Sequence, residues 1–333
     1  MTTVIEALRG GIACLMADDP RVFVVGEDIR FGGTFGLTKG LVDRFGPRRI
    51  LDAPIAEAGF VGLAVGAAMN GMRPIVDFQY GDFVLPAANM IIQEATKIPY
   101  FSGGQTSIPL VIHCPTGASG RGAQHANQIE QLFFGVPGLH IAVPSTPYDA
   151  KGALIAASHG STPTLICAHK HLYGSTGRYL ETGYGSVGEV PEGLYEIESG
   201  IATTRREGRD VTIVGALLMS HRALAAADLL QTAGIEAEVI DLRWLVPLDV
   251  ASVLLSVRRT GALVVVEEGP ATGGWASTVV AGVSEAEPGV PVRRVSGPDE
   301  SIPSALHLEL RHVPDAETIA SAVRSLLAAG AIT

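Results

Sequence analysis

The chain has 333 residues, of which 47% are hydrophobic, 17% are charged and 40 are glycines, and its formal net charge is −10. This length predicts two domains of ordinary size, and the excess of acidic over basic residues excludes a nucleic-acid-binding groove. The three cysteines have no metal-like spacing, and no apolar run reaches roughly 18 residues without interruption. We therefore predict a protein of the reducing cytoplasm with no membrane span.

Short apolar runs alternate with helical patterns along the first half of the chain. After a first helix within residues 1–20, six runs are typical of buried strands: RVFVVGED, RILDAPI, RPIVDF, IPLVIHCP, LHIAVPS and TPTLICAH. Helical patterns lie between them at residues 57–70, 84–98, 126–134 and 147–158. Such alternation predicts a parallel sheet with helices on both faces.

The periodicity ends at residues 171–193, where Gly, Ser, Thr and Pro dominate, and this composition indicates a linker. Alternation then resumes with the strands VTIVGA, EAEVIDL, ALVVVEE and PVRRVS and with helices at 219–233, 248–258, 274–285 and 315–329. We predict an α/β fold of two domains, with a doubly wound first domain at residues 1–185, a linker at 186–200 and a second α/β domain at 201–333.

Two short motifs match known signatures but lack the surroundings that those signatures need. Gly183, Gly185 and Gly188 have the spacing of a dinucleotide fingerprint, yet no strand precedes them and Pro191 follows where a helix should continue. GASGRG at residues 117–122 is similar to a nucleophile elbow, but Arg121 occupies the position of the second glycine. We interpret it as a flexible loop that brings the next residues to a site.

Glu57 is the only charged residue between Asp52 and Arg73, and it begins a helix of mostly Ala, Gly, Val, Leu and Met. The helix dipole favours an acid in a first turn, which is the structural explanation. The apolar pattern, however, predicts a helix buried on all sides, where a carboxylate needs a dedicated partner. Glu57 is therefore a candidate site residue.

Three further candidates follow predicted strands. His125 comes after the glycine-rich loop, at the carboxyl edge of the predicted sheet, where sites of α/β proteins gather; the alternative is a solvent-facing loop histidine. Gln79 and Phe83 lie in FQYGDF, where a strand meets the next helix. Core packing explains Phe83 but leaves Gln79 unexplained.

Several collinear segments resemble one family. They are VFVVGEDIRFGGTFGLTKGL, FGPRRILDAPIAEAGFVGLAVGAAMNGMRPIVDFQYGDF, the histidine loop, VPSTPYDAKGAL, HKHLY, DVTIVGALLMSHRALAAADLL, AEVIDLRWLVPLDV and VVVEEGPATGGW. This series is similar to the β subunit of the thiamine-diphosphate-dependent 2-oxo acid dehydrogenases of the pyruvate, branched-chain and acetoin types. The resemblance covers nearly the whole chain and is specific because no single motif carries it.

The resemblance implies a pyrimidine-binding domain followed by a transketolase C-terminal-like domain. It also implies a partner α subunit that holds the cofactor's diphosphate and Mg²⁺ through a Gly-Asp-Gly motif, which this sequence lacks. Two α and two β chains would form a heterotetramer with the cofactor at each α–β interface.

The resemblance also assigns roles to the four candidates. Glu57 matches the glutamate that hydrogen-bonds a ring nitrogen of the cofactor's pyrimidine and promotes its activation. Phe83 matches the aromatic residue that stacks on the pyrimidine, and Gln79 a residue beside it. His125 matches the histidine that faces the thiazolium and the substrate and assists acyl transfer.

The function that the resemblance implies is decarboxylation of a 2-oxo acid and transfer of the acyl group to a lipoylated acyltransferase or an acyl carrier protein. The alternative is a split transketolase-like enzyme whose donor is a ketose phosphate, with Lys170, His171 and Arg178 as candidate phosphate ligands. A third possibility is a non-catalytic chain, which the joint presence of Glu57, Phe83 and His125 disfavours.

Overall fold

The computed structural model describes residues 1–174 and 186–330. The chain begins with the short strand β1 (Thr2–Thr3) and the helix α1 (Val4–Asp18). Thr3 caps this helix: its hydroxyl accepts the backbone N–H of Glu6, and the Glu6 carboxylate accepts the backbone N–H of Thr3. This reciprocal pair explains why the helix starts where the apolar pattern begins.

The six strands predicted in the first half are confirmed, and all six are parallel within one sheet. They are β2 (Val22–Gly26), β3 (Ile50–Asp52), β4 (Arg73–Asp77), β5 (Val111–Thr116), β6 (His140–Ala142) and β7 (Thr164–His169). Their order across the sheet is β6-β7-β5-β4-β2-β3. Because β2 lies inside this order, the chain winds first to one side and then to the other.

Helices cover both faces of this sheet. They are α2 (Leu41–Phe45), α3 (Glu57–Met69), α4 (Ile98–Phe101), α5 (Ile129–Phe133) and α6 (Pro147–His159). Alternate residues of β2 face opposite sides: Val22 and Val24 belong to the apolar cluster that includes α1, and Phe23 and Val25 to the cluster that includes α3. The predicted doubly wound architecture is thus confirmed.

The stretch predicted as a helix at residues 84–98 is helical, but it is not a regular α-helix. The chain instead forms a 3₁₀ segment at Gly81–Ala87, a π-helical segment at Met90–Ala95 and then α4. Pro86 lies inside the first segment and has no backbone N–H to donate. Because the helical stretch begins at Gly81, a regular α-helix would need residue 86 to donate its N–H to Asp82, which Pro86 cannot do.

The second half forms a five-stranded sheet. In chain order, the second half contains β8 (Val187–Gly188, paired with β1), β9 (Thr203–Arg206), β10 (Val211–Gly215), α7 (Leu218–Thr232), β11 (Ala237–Asp241), β12 (Trp244–Val246), α8 (Val250–Thr260), β13 (Leu263–Pro270), α9 (Ala276–Ala286), β14 (Val292–Gly297), α10 (Leu306–His312) and α11 (Ala316–Gly330). The strand order is β14-β13-β10-β11-β9, with only β9 antiparallel. All four predicted strands of this half are present.

Two of the contacts between the halves join their sheets. Strand β12 leaves the second half and pairs antiparallel with β6, which makes the first sheet seven-stranded. Arg205 bonds both Asp149 and Asp241, which are 1% and 0% exposed in their side chains. A buried ion cluster and a crossing strand therefore fix the relative position of the two sheets. The boundaries at residues 185, 186 and 200 stay predictions, and residue 185 lies outside the described residues.

Among residues 1–174 and 186–330, no helix combines the length and the apolar character that crossing a bilayer requires. The glycines Gly183 and Gly185 of the rejected dinucleotide motif, and Arg178, lie outside the described part of the chain.

Candidate active site

The candidate residues follow the carboxyl ends of adjacent parallel strands. Glu57 comes after β3, Gln79 and Phe83 after β4, and His125 after β5. Because β3, β2, β4 and β5 are neighbours in the parallel sheet, these ends meet at one edge. The topology therefore brings the four predicted site residues to the same side of the first sheet.

Glu57 begins α3 and is half-buried, with exposed neighbours that include Ile55 at 83% exposure. No hydrogen bond to its carboxylate forms within the described residues. The prediction that α3 is buried on all sides is wrong for the single chain. Phe60, Val61, Ala64 and Val65 face the core, whereas Ala58, Gly59, Leu63 and Met69 are exposed. An apolar, small-residue face thus surrounds the carboxylate.

A second carboxylate, Glu27, directly follows β2 at the same edge of the sheet as Glu57. Burial, and then the charges of Glu57 and Asp28, raise the pKa of Glu27 above its usual value. Its Oε1 atom is buried and has no hydrogen-bond partner among the described residues. The buried Oε1 atom of Glu27 can therefore accept a hydrogen bond from a donor group of a ligand at this edge. The sequence analysis missed Glu27, whose only signal was its place directly after a strand.

Gln79 is buried, and its side-chain amide organises the loop at residues 27–34. Its Nε2 donates to the backbone oxygen of Glu27 at 2.7 Å, and its Oε1 accepts the backbone N–H of Thr34. Gly33, at φ +69°, passes so close that a Cβ there would lie 3.2 Å from Nε2 of Gln79. In this structure Gln79 therefore shapes the loop, and its direct contact with a cofactor stays a prediction.

Phe83 and His125 lie in one aromatic cluster whose centre is Tyr80. The ring centroids of Tyr80 and His125 are 4.4 Å apart, those of Phe83 and His125 5.7 Å, and those of Tyr80 and Phe83 5.8 Å. All three contacts are edge-to-face, the arrangement that aromatic quadrupoles favour. Tyr80 is a site residue that sequence reasoning missed, although it stands between Gln79 and Phe83 in FQYGDF.

Within the first half of the chain, Asp82 binds the loop that carries His125. Its Oδ1 accepts the backbone N–H of Asn127 at 3.2 Å and the Asn127 side-chain amide at 2.5 Å. The hydroxyl of Thr116 donates to the carboxylate of Glu130 at 2.7 Å and accepts the backbone N–H of Ile129 at 3.2 Å. These bonds fix the end of the loop that leads into α5.

Three buried ionisable residues lie close to this loop: Glu130, Lys170 and Glu268. Burial raises the pKa of Glu130 to about 7 and lowers the pKa of Lys170 to about 8. Burial also acts to raise the pKa of Glu268, but the interaction with His169 and the N–H of Ala118 outweigh it and lower that pKa below its usual value. Glu268 is therefore ionised at neutral pH.

Two family models match the chain. The transketolase pyrimidine-binding domain matches residues 1–176, and the transketolase C-terminal domain matches residues 200–319. A solved structure of a split-gene transketolase, described as an inactive β4 tetramer, matches with a TM-score of 0.78 and 25% identity over 98% of this chain and 99% of that chain. The two matched domains and the fold together define a transketolase-type thiamine diphosphate protein.

The curated relatives of the chain identify its family within this class. The chain is 40% identical to the 2-oxoisovalerate dehydrogenase β subunit of Bacillus subtilis, over 97% of both chains. It is 42% identical to the β subunit of the acetoin:2,6-dichlorophenolindophenol oxidoreductase of Cupriavidus necator, over 97% of both chains. The pyruvate dehydrogenase E1 component β subunit of Rickettsia bellii is 38% identical over 97% of this chain and 98% of its own length. The chain belongs to the β-subunit family of the 2-oxo acid and acetoin dehydrogenases, as its motifs predict.

Proposed function

We propose that this chain is the β subunit of a heteromeric thiamine diphosphate enzyme that decarboxylates a 2-oxo acid and transfers the acyl group to a lipoyl-bearing transferase. The observation that carries this proposal is 38–40% identity, over 97% of the chain, to β subunits of 2-oxo acid dehydrogenases. Three free cysteines fit the reducing cytoplasm as its compartment.

The residues at the sheet edge fit the pyrimidine end of the cofactor. Glu57 is half-buried, carries no internal hydrogen bond in the described structure and lies within an exposed apolar face, so its carboxylate is free to accept a ring N–H of a ligand. The partly exposed ring of Phe83 offers an apolar surface to a flat heterocycle. The unsatisfied Oε1 of Glu27 adds a further polar group at the same edge.

Thiamine diphosphate, when bound, supplies a nucleophilic carbon and an electron sink for decarboxylation. Glu57 would hold a proton at the pyrimidine nitrogen, and Phe83 would orient the ring. His125, half-buried beside Tyr80, would donate a hydrogen bond to an oxygen or sulfur atom that gains charge during acyl transfer. The exposed face of α3 would bury Glu57 against a partner subunit and exclude water.

We assign the diphosphate and Mg²⁺ to a partner α subunit. No group of three or more His, Cys, Asp or Glu side chains in the described ranges could hold a metal ion, and the sequence contains no Gly-Asp-Gly. Two α and two β chains would then complete the cofactor sites. A lipoylated acyltransferase, or an acyl carrier protein, would take the product.

The observations support the split-transketolase alternative less well than the function of a 2-oxo acid dehydrogenase. A phosphate donor needs cationic ligands, and Lys170 is poorly placed for one because Asp82, Glu268, Glu130 and Glu309 all act on its charge. Among solved structures a split-gene transketolase shares the fold at 25% identity, well below the curated dehydrogenase relatives. The charges of these four carboxylates favour the ionised form of Lys170 and oppose the approach of a phosphate.

The test is turnover by the chain co-expressed with its α partner. A panel of pyruvate, branched-chain 2-oxo acids, acetoin and ketose phosphates would be assayed with an artificial electron acceptor and with lipoamide. We expect turnover with a 2-oxo acid and lipoamide. Cleavage of a ketose phosphate, without activity on any 2-oxo acid, would instead establish the transketolase-like alternative.

A further inference from the structure

Two carboxylates of the second half bond the backbone of the loop that carries His125. Glu268, on β13, accepts the backbone N–H of Ala118 at 2.7 Å. Glu309, on α10, accepts the backbone N–H of Gly120 at 2.7 Å. Both acceptors are buried: the Glu268 side chain is 6% exposed and Glu309 is 1% exposed. The loop therefore lies between the two halves of the chain and is fastened to each.

Glu268 holds both ends of the loop with a single oxygen atom. Its Oε1 accepts the N–H of Ala118 at the start and the side-chain amide of Gln128 at the end, 2.9 Å away. Its Oε2 is 2.7 Å from Nε2 of His169. Nδ1 of His169 accepts the backbone N–H of His171, so Nε2 carries the proton and donates to Glu268. All three partners of Glu268 are thus donors.

The loop needs such external acceptors because it has little structure of its own. Gly117, Gly120 and Gly122 have φ values of +85°, +70° and +86°, and only a short 3₁₀ turn at Ala123–His125 follows them. Glycine-rich backbone loses much conformational entropy when it is ordered. Hydrogen bonds to ionised carboxylates are roughly twice as strong as neutral ones and can offset that loss.

From this geometry we infer that Glu268 and Glu309 are positioning residues for His125. They lie in the second half of the chain and act on the acyl-transfer step by fixing the loop, without touching a substrate. The inference rests on the proposed function for the role of His125. It gives the C-terminal half a part in the chemistry that occurs at the edge of the first sheet.

Substitution by glutamine should have different effects on the hydrogen bonds of Glu268 and Glu309. Glu309 uses one oxygen, and its Oε2 has no partner among the described residues, so Glu309→Gln can keep the bond to Gly120. Glu268 meets donors on both oxygens, so Glu268→Gln must place its NH₂ group against another N–H. The amide should therefore restore function at position 309 and impair it at position 268.

Glu267 supplies the matched control. It is the neighbouring glutamate on β13, is 1% exposed and accepts hydrogen bonds from Ala276 and Ser296 inside the second half. Glu267→Gln removes a buried charge from the same strand without touching the loop. Any effect of general destabilisation of the second half should appear in this variant too.

The experiment uses the complex with the α partner and measures two quantities. Hydrogen–deuterium exchange of residues 117–128 reports the order of the loop. Single-turnover rates report decarboxylation with an artificial electron acceptor and acyl transfer to lipoamide. For Glu309→Ala and Glu268→Gln we expect about tenfold faster exchange and about tenfold slower acyl transfer, with decarboxylation little changed. Glu309→Gln and Glu267→Gln should be close to wild type.

The decisive comparison repeats Glu309→Ala in a His125→Ala background. If Glu309 acts through His125, its removal should cause no further loss of acyl transfer there. An equal loss in both backgrounds, or unchanged loop exchange in Glu309→Ala, would overturn the inference. If the Glu309→Ala variant does not assemble with the α partner, Glu309→Asp is measured instead. Its side chain is one methylene shorter, so its carboxylate lies further from the N–H of Gly120. A His125→Ala variant with normal acyl transfer would contradict the proposed role of His125 itself.

Discussion

Glu57 combines an exposed apolar surrounding with a carboxylate that has no internal partner in the described structure, and we therefore expect its substitution to impair activity. Glu57→Gln keeps the shape and a hydrogen-bonding group but cannot hold a proton at the pyrimidine nitrogen. We expect activity of the assembled complex to fall roughly a thousandfold, or about 4 kcal/mol in transition-state stabilisation. The measurement is the exchange rate of the cofactor's thiazolium proton.

The matched control for this substitution is Glu285→Gln, which removes an exposed carboxylate from α9. Its thiazolium exchange rate should equal that of the wild type. Equal exchange in Glu57→Gln as well would show that the role assigned to Glu57 is wrong.

Glu130 is the residue from which we expect a pH effect on stability. Burial raises its pKa to about 7 in the folded protein, so the folded state keeps a proton that the unfolded chain has lost above its own, lower pKa of 4.5. The stability that this proton contributes is complete below pH 4.5 and is lost as the pH rises to about 7. Glu130→Gln mimics the protonated form and should remove this pH dependence.

The measurement is urea unfolding of both proteins from pH 4 to pH 9. Glu130→Gln should equal the wild type at the acidic end and exceed it above neutral pH, by up to roughly 3 kcal/mol. The Thr116 hydroxyl, which donates to Glu130, can donate to the new amide oxygen equally well. A constant difference at every pH would contradict the assignment.

At the scale of elements, the His125 loop depends on a glycine at its first position. Gly117 has φ +85°, and a Cβ there would lie 1.9 Å from Nε2 of His169, the atom that donates to Glu268. Gly117→Ala should therefore combine the cost of a positive φ, about 1–2 kcal/mol, with displacement of His169. We expect a clear fall in the thermal unfolding midpoint and in acyl transfer.

Gly104→Ala is the control for this change, because Gly104 has φ +80° and nothing within 4 Å of a Cβ. It carries the same backbone strain without the clash. If both variants lowered the unfolding midpoint equally, the contact with His169 would have no energetic consequence.

At the scale of the whole molecule, the chain forms one part of a cofactor site and leaves an apolar face open beside it. The ion cluster of Asp149, Arg205 and Asp241 holds the two halves together, and Glu57 remains at the open edge. We expect the isolated chain to show no micromolar binding of thiamine diphosphate with Mg²⁺ by calorimetry. The complex with the α partner is the positive control, and tight binding by the chain alone would contradict the proposed division of the site.

The sequence by itself determined the parallel strands of both sheets, the class of fold and the family. Runs such as VFVVG and LICAH are long enough and apolar enough to form buried strands wherever they are placed, because burial on both faces requires only a continuous apolar run. Glu57 and His125 could be selected because each stands out from its local surroundings. The resemblance then supplied the roles that local patterns could not.

Tertiary structure decided everything that depends on residues far apart in the chain. The pairing of β12 with β6, the contact of Tyr80 with His125 and the bonds of Glu268 and Glu309 to the loop join positions separated by tens to nearly two hundred residues, and no local period encodes them. The local pattern could not predict the exposed face of α3 either. A uniformly apolar helix shows no preferred face, so only packing decided which side the core would cover.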